Sequence, residues 1–256
     1  MEVIPSGKAT ECLHEASTVA ASTRHHANEV VPWRSLRALL ARRGIALDKN
    51  PGVRSIGVGE CLQRLEAKAM ALATGMDATE VCGADQLCAG ANAGIRAAAH
   101  ALHSVFNQED TEAVILVDAA NAFNSISRPA VLWNCRIFWP RCSVFLFNFY
   151  HGSPAILFRG HTSGKMQVLY STEGTTQGCP LSMLVYAVGI LPLIKRLKDP
   201  GSQTEVWFAD DSSSGGSLVN IHRWFQKLLP FGPAYGYFVE PSKSLVVTKQ
   251  HCLHQA

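Results

Sequence analysis

The 256-residue chain has no aspartate or glutamate between residues 128 and 165, a stretch that carries five basic residues. A second stretch, 33 to 68, holds eight basic residues against three acids (Asp48, Glu60 and Glu66). The net charge of +3 excludes nothing by itself. Two basic tracts in a nearly neutral protein suit a polyanionic partner, and suit ordinary solvated helix faces about equally well. No two of the eight cysteines have C-x-x-C spacing, which speaks against a zinc ribbon or a dithiol redox motif. Cys-Leu-His occurs at 12–14 and again at 252–254, but no further ligand stands near either copy at fingerprint spacing. The cysteines therefore read as free thiols of a reducing compartment. An apolar signal-peptide stretch is missing from the N-terminus. The longest apolar run, residues 181 to 194, is broken by Ser182 and Pro192 and is shorter than the ~20 residues of a membrane span. An intracellular setting is expected, nucleus or cytoplasm, with neither secretion nor a membrane partner. With 47% hydrophobic and 17% charged residues, the chain is globular rather than disordered.

What is present is a succession of periodic segments. Residues 1 to 30 are polar and aperiodic, the pattern of a mobile tail. Residues 33–43 suggest a short amphipathic helix, and 48–59 a turn-rich segment around Pro51, Gly52, Gly57 and Gly59. Helices are predicted over 60–73 and 91–106. A buried strand over 113–117 ends at Asp118. A helix near 130–138 follows, then strands at 155–159 and 166–170 joined by a Gly/His/Ser turn. Residues 178–195 read as a buried helix. A strand at 205–209, an Asp210-Asp211 turn and a return strand at 212–214 come next, then a helix at 218–229 and a last strand at 244–248. This order suits an α+β plan, an antiparallel sheet with helices packed on one face, rather than a doubly wound sheet.

Two acidic sites stand apart. Asp118 ends an apolar run, and Asp210 and Asp211 directly follow Val206-Trp207-Phe208-Ala209. Adjacent carboxylates repel unless a cation or a proton relieves them, and hard Mg²⁺ prefers carboxylate oxygens. If the two strands were neighbours, three carboxylates could hold two ions about 3.5–4 Å apart, the geometry of in-line phosphoryl transfer. On spacing alone a plain Asp-rich turn is the better account of either site.

Five motifs carry a family resemblance. Phe208-Ala209-Asp210-Asp211 resembles the aromatic-x-Asp-Asp box of reverse transcriptases, and Asp118-Ala119-Ala120-Asn121-Ala122-Phe123 their first catalytic motif. The segment 173–181, with Gln177-Gly178-Cys179-Pro180, is similar to their Gln-Gly-x-Pro motif. Lys49 to Gly59, with Arg54-Ser55-Ile56, resembles the fingers segment whose usual form is Arg-Pro-Ile. Gly236-Tyr237 followed by Lys243 looks like the lysine-bearing motif after the hairpin. All five occur in the family's order over roughly three quarters of the chain, most like reverse transcriptases of eukaryotic retroelements of the non-LTR kind.

The resemblance implies a right-hand polymerase with a fingers-like segment (31–112) interleaved with a palm-like segment (113–249), flanked by tails at 1–30 and 250–256. It implies RNA-directed DNA synthesis with dNTPs, an RNA template and a DNA primer, and two Mg²⁺ ions, with Mn²⁺ as the alternative. Asp118 and Asp210 would ligate both metals, with Asp211 supporting them. Arg54 and Lys49 would hold the triphosphate, Phe123 would exclude a 2′-hydroxyl, Gln177 and Gly178 would face the nascent base pair, and Lys243 would be a general acid. Ser55 stands where the family has proline, and Cys179 where it often has an acid or a small aliphatic residue. Only 13 residues follow Lys243, so the family's helical thumb is expected to be missing. A non-catalytic remnant that binds RNA is the alternative. An RNA-dependent RNA polymerase is disfavoured by Phe123.

Overall fold

The computed structural model describes residues 6–49, 52–160, 164–198 and 204–254, with side chains from residue 15 onward. Pro51, most of the turn at 160–164 and the side chains of Cys12 and His14 lie outside the described residues.

Two four-stranded sheets organise the chain. The first takes β1 (Arg42–Asp48), β2 (Val53–Gly59), β4 (Ala155–Arg159) and β5 (Met166–Tyr170) in the order β2-β1-β4-β5. Within it β1 and β2 form a hairpin, β4 and β5 form another, and β1 joins β4 in parallel through Arg42↔Ile156 and Arg43↔Leu157. The second sheet is wholly antiparallel, with β6 (Thr204–Phe208), β7 (Asp211–Gly216), β3 (Ala113–Val117) and β8 (Leu245–Thr248) in the order β6-β7-β3-β8.

The main core lies on one face of the second sheet. Ala113, Ile115 and Val117 alternate along β3 into a cluster with α8 (Ser182–Leu197) and α9 (Leu218–Phe231), the period-2 pattern of a strand. Helix α8 is buried on all sides from Val185 to Leu191, as expected of a helix apolar all round. Each large aliphatic side chain buried there contributes about 1.5–3 kcal/mol. Gly189 lets α8 cross α6 (Arg128–Phe138) closely, since a Cβ there would lie 2.7 Å from Val131. Helix α4 (Gly94–Phe106) packs on β6, β7 and β3, with Val105 against Gly215 and near Val114 on the other face. Nothing in the sequence signalled that second placement.

Several sequence expectations are corrected. The expected mobile tail at 1–30 is instead largely α1 (Ser6–Asn28), which packs on α3 (Cys61–Cys82) and α7 (Pro140–Tyr150). Its anchorage is polar, which is why no apolar stripe announced it. Glu66 is fully buried and accepts from Ser22 Oγ at 2.5 Å, and His26 Nδ1 lies 3.0 Å from its other oxygen. Buried Asn148 donates to the carbonyls of His26 and Glu29 and accepts from Val31 N–H. The expected helix over 33–43 shrinks to α2 (Trp33–Leu36), because residues from Arg42 onward pair in β1. The turn-rich 48–59 is largely β2. Helix α3 runs nine residues past the expected end at 73, and α7 was not foreseen. At the C-terminal end, Gln250–Cys252 forms a 3-10 turn that buries Cys252.

Asn148→Ala should strand three backbone groups, two of them in buried hydrogen bonds. At about 1–3 kcal/mol per unpaired group, partly relieved by water entry, a loss of about 3 kcal/mol is expected. That corresponds to a Tm lower by roughly 6–12 °C for a domain of this size. A thermal melt with limited proteolysis around residue 30 checks it, and an unchanged Tm would contradict the seam's role.

Candidate active site

The register of the second sheet brings the acidic residues together. Val117 pairs with Ser212, so Asp118 emerges beside Asp211. Phe208 pairs with Asp211 across a two-residue hairpin, which places Ala209-Asp210 at the tip. Ala209 has φ +56°, a left-handed conformation that costs a residue with a Cβ roughly 1–2 kcal/mol.

Asp118 and Asp210 open into one cavity of about 220 Å³. Lys49, Arg54, Phe123, Gln177 and Lys243 line it too, so seven of the nine residues singled out in the sequence meet there. Asp211 faces the neighbouring cleft under α4, which Asp118 and Lys243 share. Gly178 points elsewhere. Its φ is +104°, and a Cβ there would lie 2.8 Å from Gly57 O, so glycine permits close packing on β2, where Gly57 N–H donates to Gln177 O at 3.0 Å. Asn121 and Asn124 also line the cavity; they lie inside the first motif but were not distinguished from its loop residues. Two larger apolar grooves, between α9 and β8 and between α1 and α3, contain none of these carboxylates.

Each element of the cavity is held from behind. Phe123 stacks on buried Tyr186 of α8 with centroids 4.6 Å apart, and its carbonyl accepts from Thr175 N–H at 2.6 Å. Buried Arg128 donates to the carbonyls of Gly152, Ser171, Glu173 and Gly174, which fixes the approach to Gln177. The segment before β8 straps across Asp118. Glu240 N–H donates to Asp118 O at 2.9 Å, and Asp118 N–H donates to Ser244 Oγ at 3.3 Å. Lys243 Nζ then lies 3.3 Å from Asp118 Oδ2, and that carboxylate raises the pKa of the exposed lysine.

Burial raises the Asp210 pKa, and the charge of Asp118 adds to it, against the pull of Arg54 and Lys49. Asp211 is raised by partial desolvation and then by Asp210 and Asp118. Among the described residues no three His, Cys, Asp or Glu side chains form a ready-made metal centre. Mg²⁺ does not need one, because it binds through one or two carboxylates together with substrate phosphates. The hard oxygens of Asp118 and Asp210, mutually repelling and open to one cavity, fit such an ion.

No family model and no curated protein matches this sequence. Solved structures do match. Apo telomerase from Candida tropicalis aligns with a TM-score of 0.68 at 10% identity, over 94% of this chain and 50% of that one. The same enzyme truncated from its C-terminal domain gives 0.65 at 11% identity, over 83% and 51%. Telomerase from Candida albicans in complex with a fragment of telomeric RNA gives 0.62 at 12%, over 92% and 47%. The chain spans about half the length of the structures it matches. At these identities the likeness establishes the fold, an α+β palm-and-fingers arrangement of the reverse-transcriptase type, which is the fold class expected from the sequence. No described helix is long and apolar enough to cross a membrane.

The raised carboxylates have a measurable consequence. Their folded-state pKa values lie above the ordinary 3.8, so the folded chain binds protons more readily than the unfolded one. This contribution is present below pH 3.8 and is lost as pH rises through the folded values. At neutral pH in chelator, Asp210→Asn should therefore raise Tm by a few degrees, and the gain over wild type should vanish as pH approaches 3.8. Paired melts across pH check this, and a variant less stable than wild type at pH 7 would contradict it.

Proposed function

We propose that this chain carries the catalytic core of an RNA-directed DNA polymerase, a nucleotidyltransferase that copies an RNA template by extending a DNA primer with dNTPs. The observation that supports it most is the single cavity in which two strand-end carboxylates, three cations and an aromatic ring converge. Asp118 and Asp210 would hold Mg²⁺, or Mn²⁺ in its place, as a pair of ions, with Asp211 adding charge from the adjoining cleft. Bound there, the metal supplies Lewis-acid stabilisation of phosphoryl charge.

The remaining roles are those the resemblance implies, and placement in or beside the cavity supports them. Arg54 and Lys49 would bind the triphosphate by charge-assisted hydrogen bonds. Phe123, braced by Tyr186, would lie against the sugar and leave no room for a 2′-hydroxyl. Gln177, tethered to β2, would contact the nascent base pair, with Gly178 shaping that loop. Once cation binding draws on Asp118, Lys243 would be free to give a proton to the pyrophosphate leaving group. Assignment to retroelement enzymes of the non-LTR kind rests on the five motifs; the structural neighbours are telomerases.

Primer extension on an RNA template, with dNTPs or NTPs and with Mg²⁺ or chelator, tests the reading. Asp118→Asn and Asp210→Asn should each reduce dNTP incorporation at least about a thousandfold, and Asp211→Asn less. Activity equal to wild type in all three variants would remove the assignment. A separate expectation concerns sugar choice: Phe123→Ala should raise rNTP use relative to dNTP use without unfolding the chain. An unchanged ratio would make Phe123 a core residue only.

A further inference from the structure

Ala209 is unusual on two counts. It adopts a left-handed conformation that favours glycine, and it is 5% exposed at the tip of a hairpin. In a two-residue hairpin the backbone groups of the first loop residue have no partner in the strand ladder and ordinarily turn to water. Here water is excluded, and two buried side chains from distant segments take its place. The Gln86 carboxamide meets Ala209 twice: Oε1 accepts from Ala209 N–H at 2.8 Å, and Nε2 donates to Ala209 O at 3.0 Å. Beside it, Leu87 N–H donates to Trp207 O at 2.9 Å, so residues 86–87 run along β6 as a short false strand. From the other flank Tyr237 Oη donates to Asp210 O at 2.9 Å. The hydroxyl has a single hydrogen, so Ser212 Oγ, 2.9 Å away, must donate to it. Gln86 and Tyr237 are each 1% exposed, and the Tyr237 ring is fixed edge-on against Trp207 at 5.6 Å.

We propose that Gln86 and Tyr237 are a pair of positioning residues that clamp the Ala209-Asp210 turn and thereby aim the Asp210 carboxylate at the cavity it shares with Asp118. The catalytic consequence rests on the polymerase reading; the clamp itself does not. Three of the four backbone polar groups of the turn (Ala209 N–H, Ala209 C=O and Asp210 C=O) are held by buried side chains. Rotation of the peptide planes that carry Asp210 requires breaking at least one of these bonds, and burial of Ala209 keeps water from replacing the two made there. The clamp thus keeps two repelling carboxylates in register before any cation arrives. Neither residue lines that cavity, so both act through the turn as positioning residues.

Two near-isosteric variants test this on the full chain. Tyr237→Phe keeps the ring on Trp207 and removes the hydroxyl with both of its hydrogen bonds, the one given to Asp210 O and the one received from Ser212 Oγ. Gln86→Glu keeps the acceptor for Ala209 N–H and sets a carboxylate oxygen against Ala209 O. Asn148→Ala, which loosens the remote N-terminal seam, controls for general destabilisation. Hydrogen–deuterium exchange over residues 204–216 should quicken at least about tenfold in both clamp variants and stay at the wild-type rate in the control. Mn²⁺ affinity, read by electron paramagnetic resonance of the protein alone, should fall at least about fivefold in the clamp variants only. In primer extension the Mg²⁺ concentration for half-maximal rate should rise by a similar factor, while the KM for dNTP at saturating Mg²⁺ is unchanged. Adding Ala209→Gly to Gln86→Glu, which removes the backbone strain, should recover part of the loss. Wild-type exchange and Mn²⁺ affinity in both clamp variants would overturn the clamp whether or not the chain polymerises. Quickened exchange in a chain whose wild type extends no primer would support the clamp and sink the polymerase reading alone.

Discussion

Asp118, Asp210 and Asp211 repel one another, and in a flexible chain they would drift apart. Their approach is enforced by the β3–β7 ladder, whose register fixes Asp118 beside Asp211, and by the two-residue hairpin that leaves Asp210 no slack. Those strands can bear the load because one face of β3 is sealed under α8 and α9. Small side chains recur where the structure is tightest. Ser212, Ser213 and Ser214 are buried along β7, and Gly215 admits Val105 of α4. The electrostatic cost sits at the end of the sheet and the compensating packing sits under it.

Around that centre the chain places its cations on separate supports. Arg54 and Lys49 come from the β1–β2 hairpin of the first sheet, and Lys243 from the strap before β8. Gln177 is tied to the first sheet, since its carbonyl accepts from Gly57 N–H of β2, and Arg128 holds the carbonyls of Glu173 and Gly174 just before it. A shift of the first sheet relative to the second therefore changes the distance between the phosphate-binding cations and the carboxylates.

The sequence disclosed the centre better than its supports. The apolar run 113–117 ending in Asp118, and the β6–β7 hairpin with its paired acids, were readable because burial and charge conflict there. Strands β4 and β5 were placed within their observed limits. Helix α1 was lost because its anchor is a hydrogen-bonded seam through Glu66, His26 and Asn148, in place of an apolar stripe. Helix α7 is so apolar on most of its length that it offers little periodicity to read. Strand β1 was missed because the predicted helix took in Arg42 and Arg43 and the turn-rich reading of 48–59 hid its hairpin partner β2. Gln86 gave no signal that a local reading could detect, and Tyr237 was read only as part of a motif, since their partners in the turn stand 123 and 27 residues away. Asn121 and Asn124 reach the cavity by the path of the loop after β3, which spacing does not reveal.

The parallel contact of β1 with β4 has a further consequence during synthesis. Arg42 and Ile156 are 114 residues apart (156 minus 42), and β3 waits for β8 in the same way, through Ala113 and Thr248. Neither sheet can be completed while the ribosome is still within the first half of the chain. Pairings of such long range pay their loop-closure entropy before they return any contact energy. The hairpins β1–β2 and β4–β5 are local and can form early. Strand β5 then stands as an open edge on which every residue is exposed, a template for unwanted strand pairing. Nascent chains thus offer this edge to one another from the emergence of residue 170, and since β5 ends the order β2-β1-β4-β5 it remains an edge in the finished sheet.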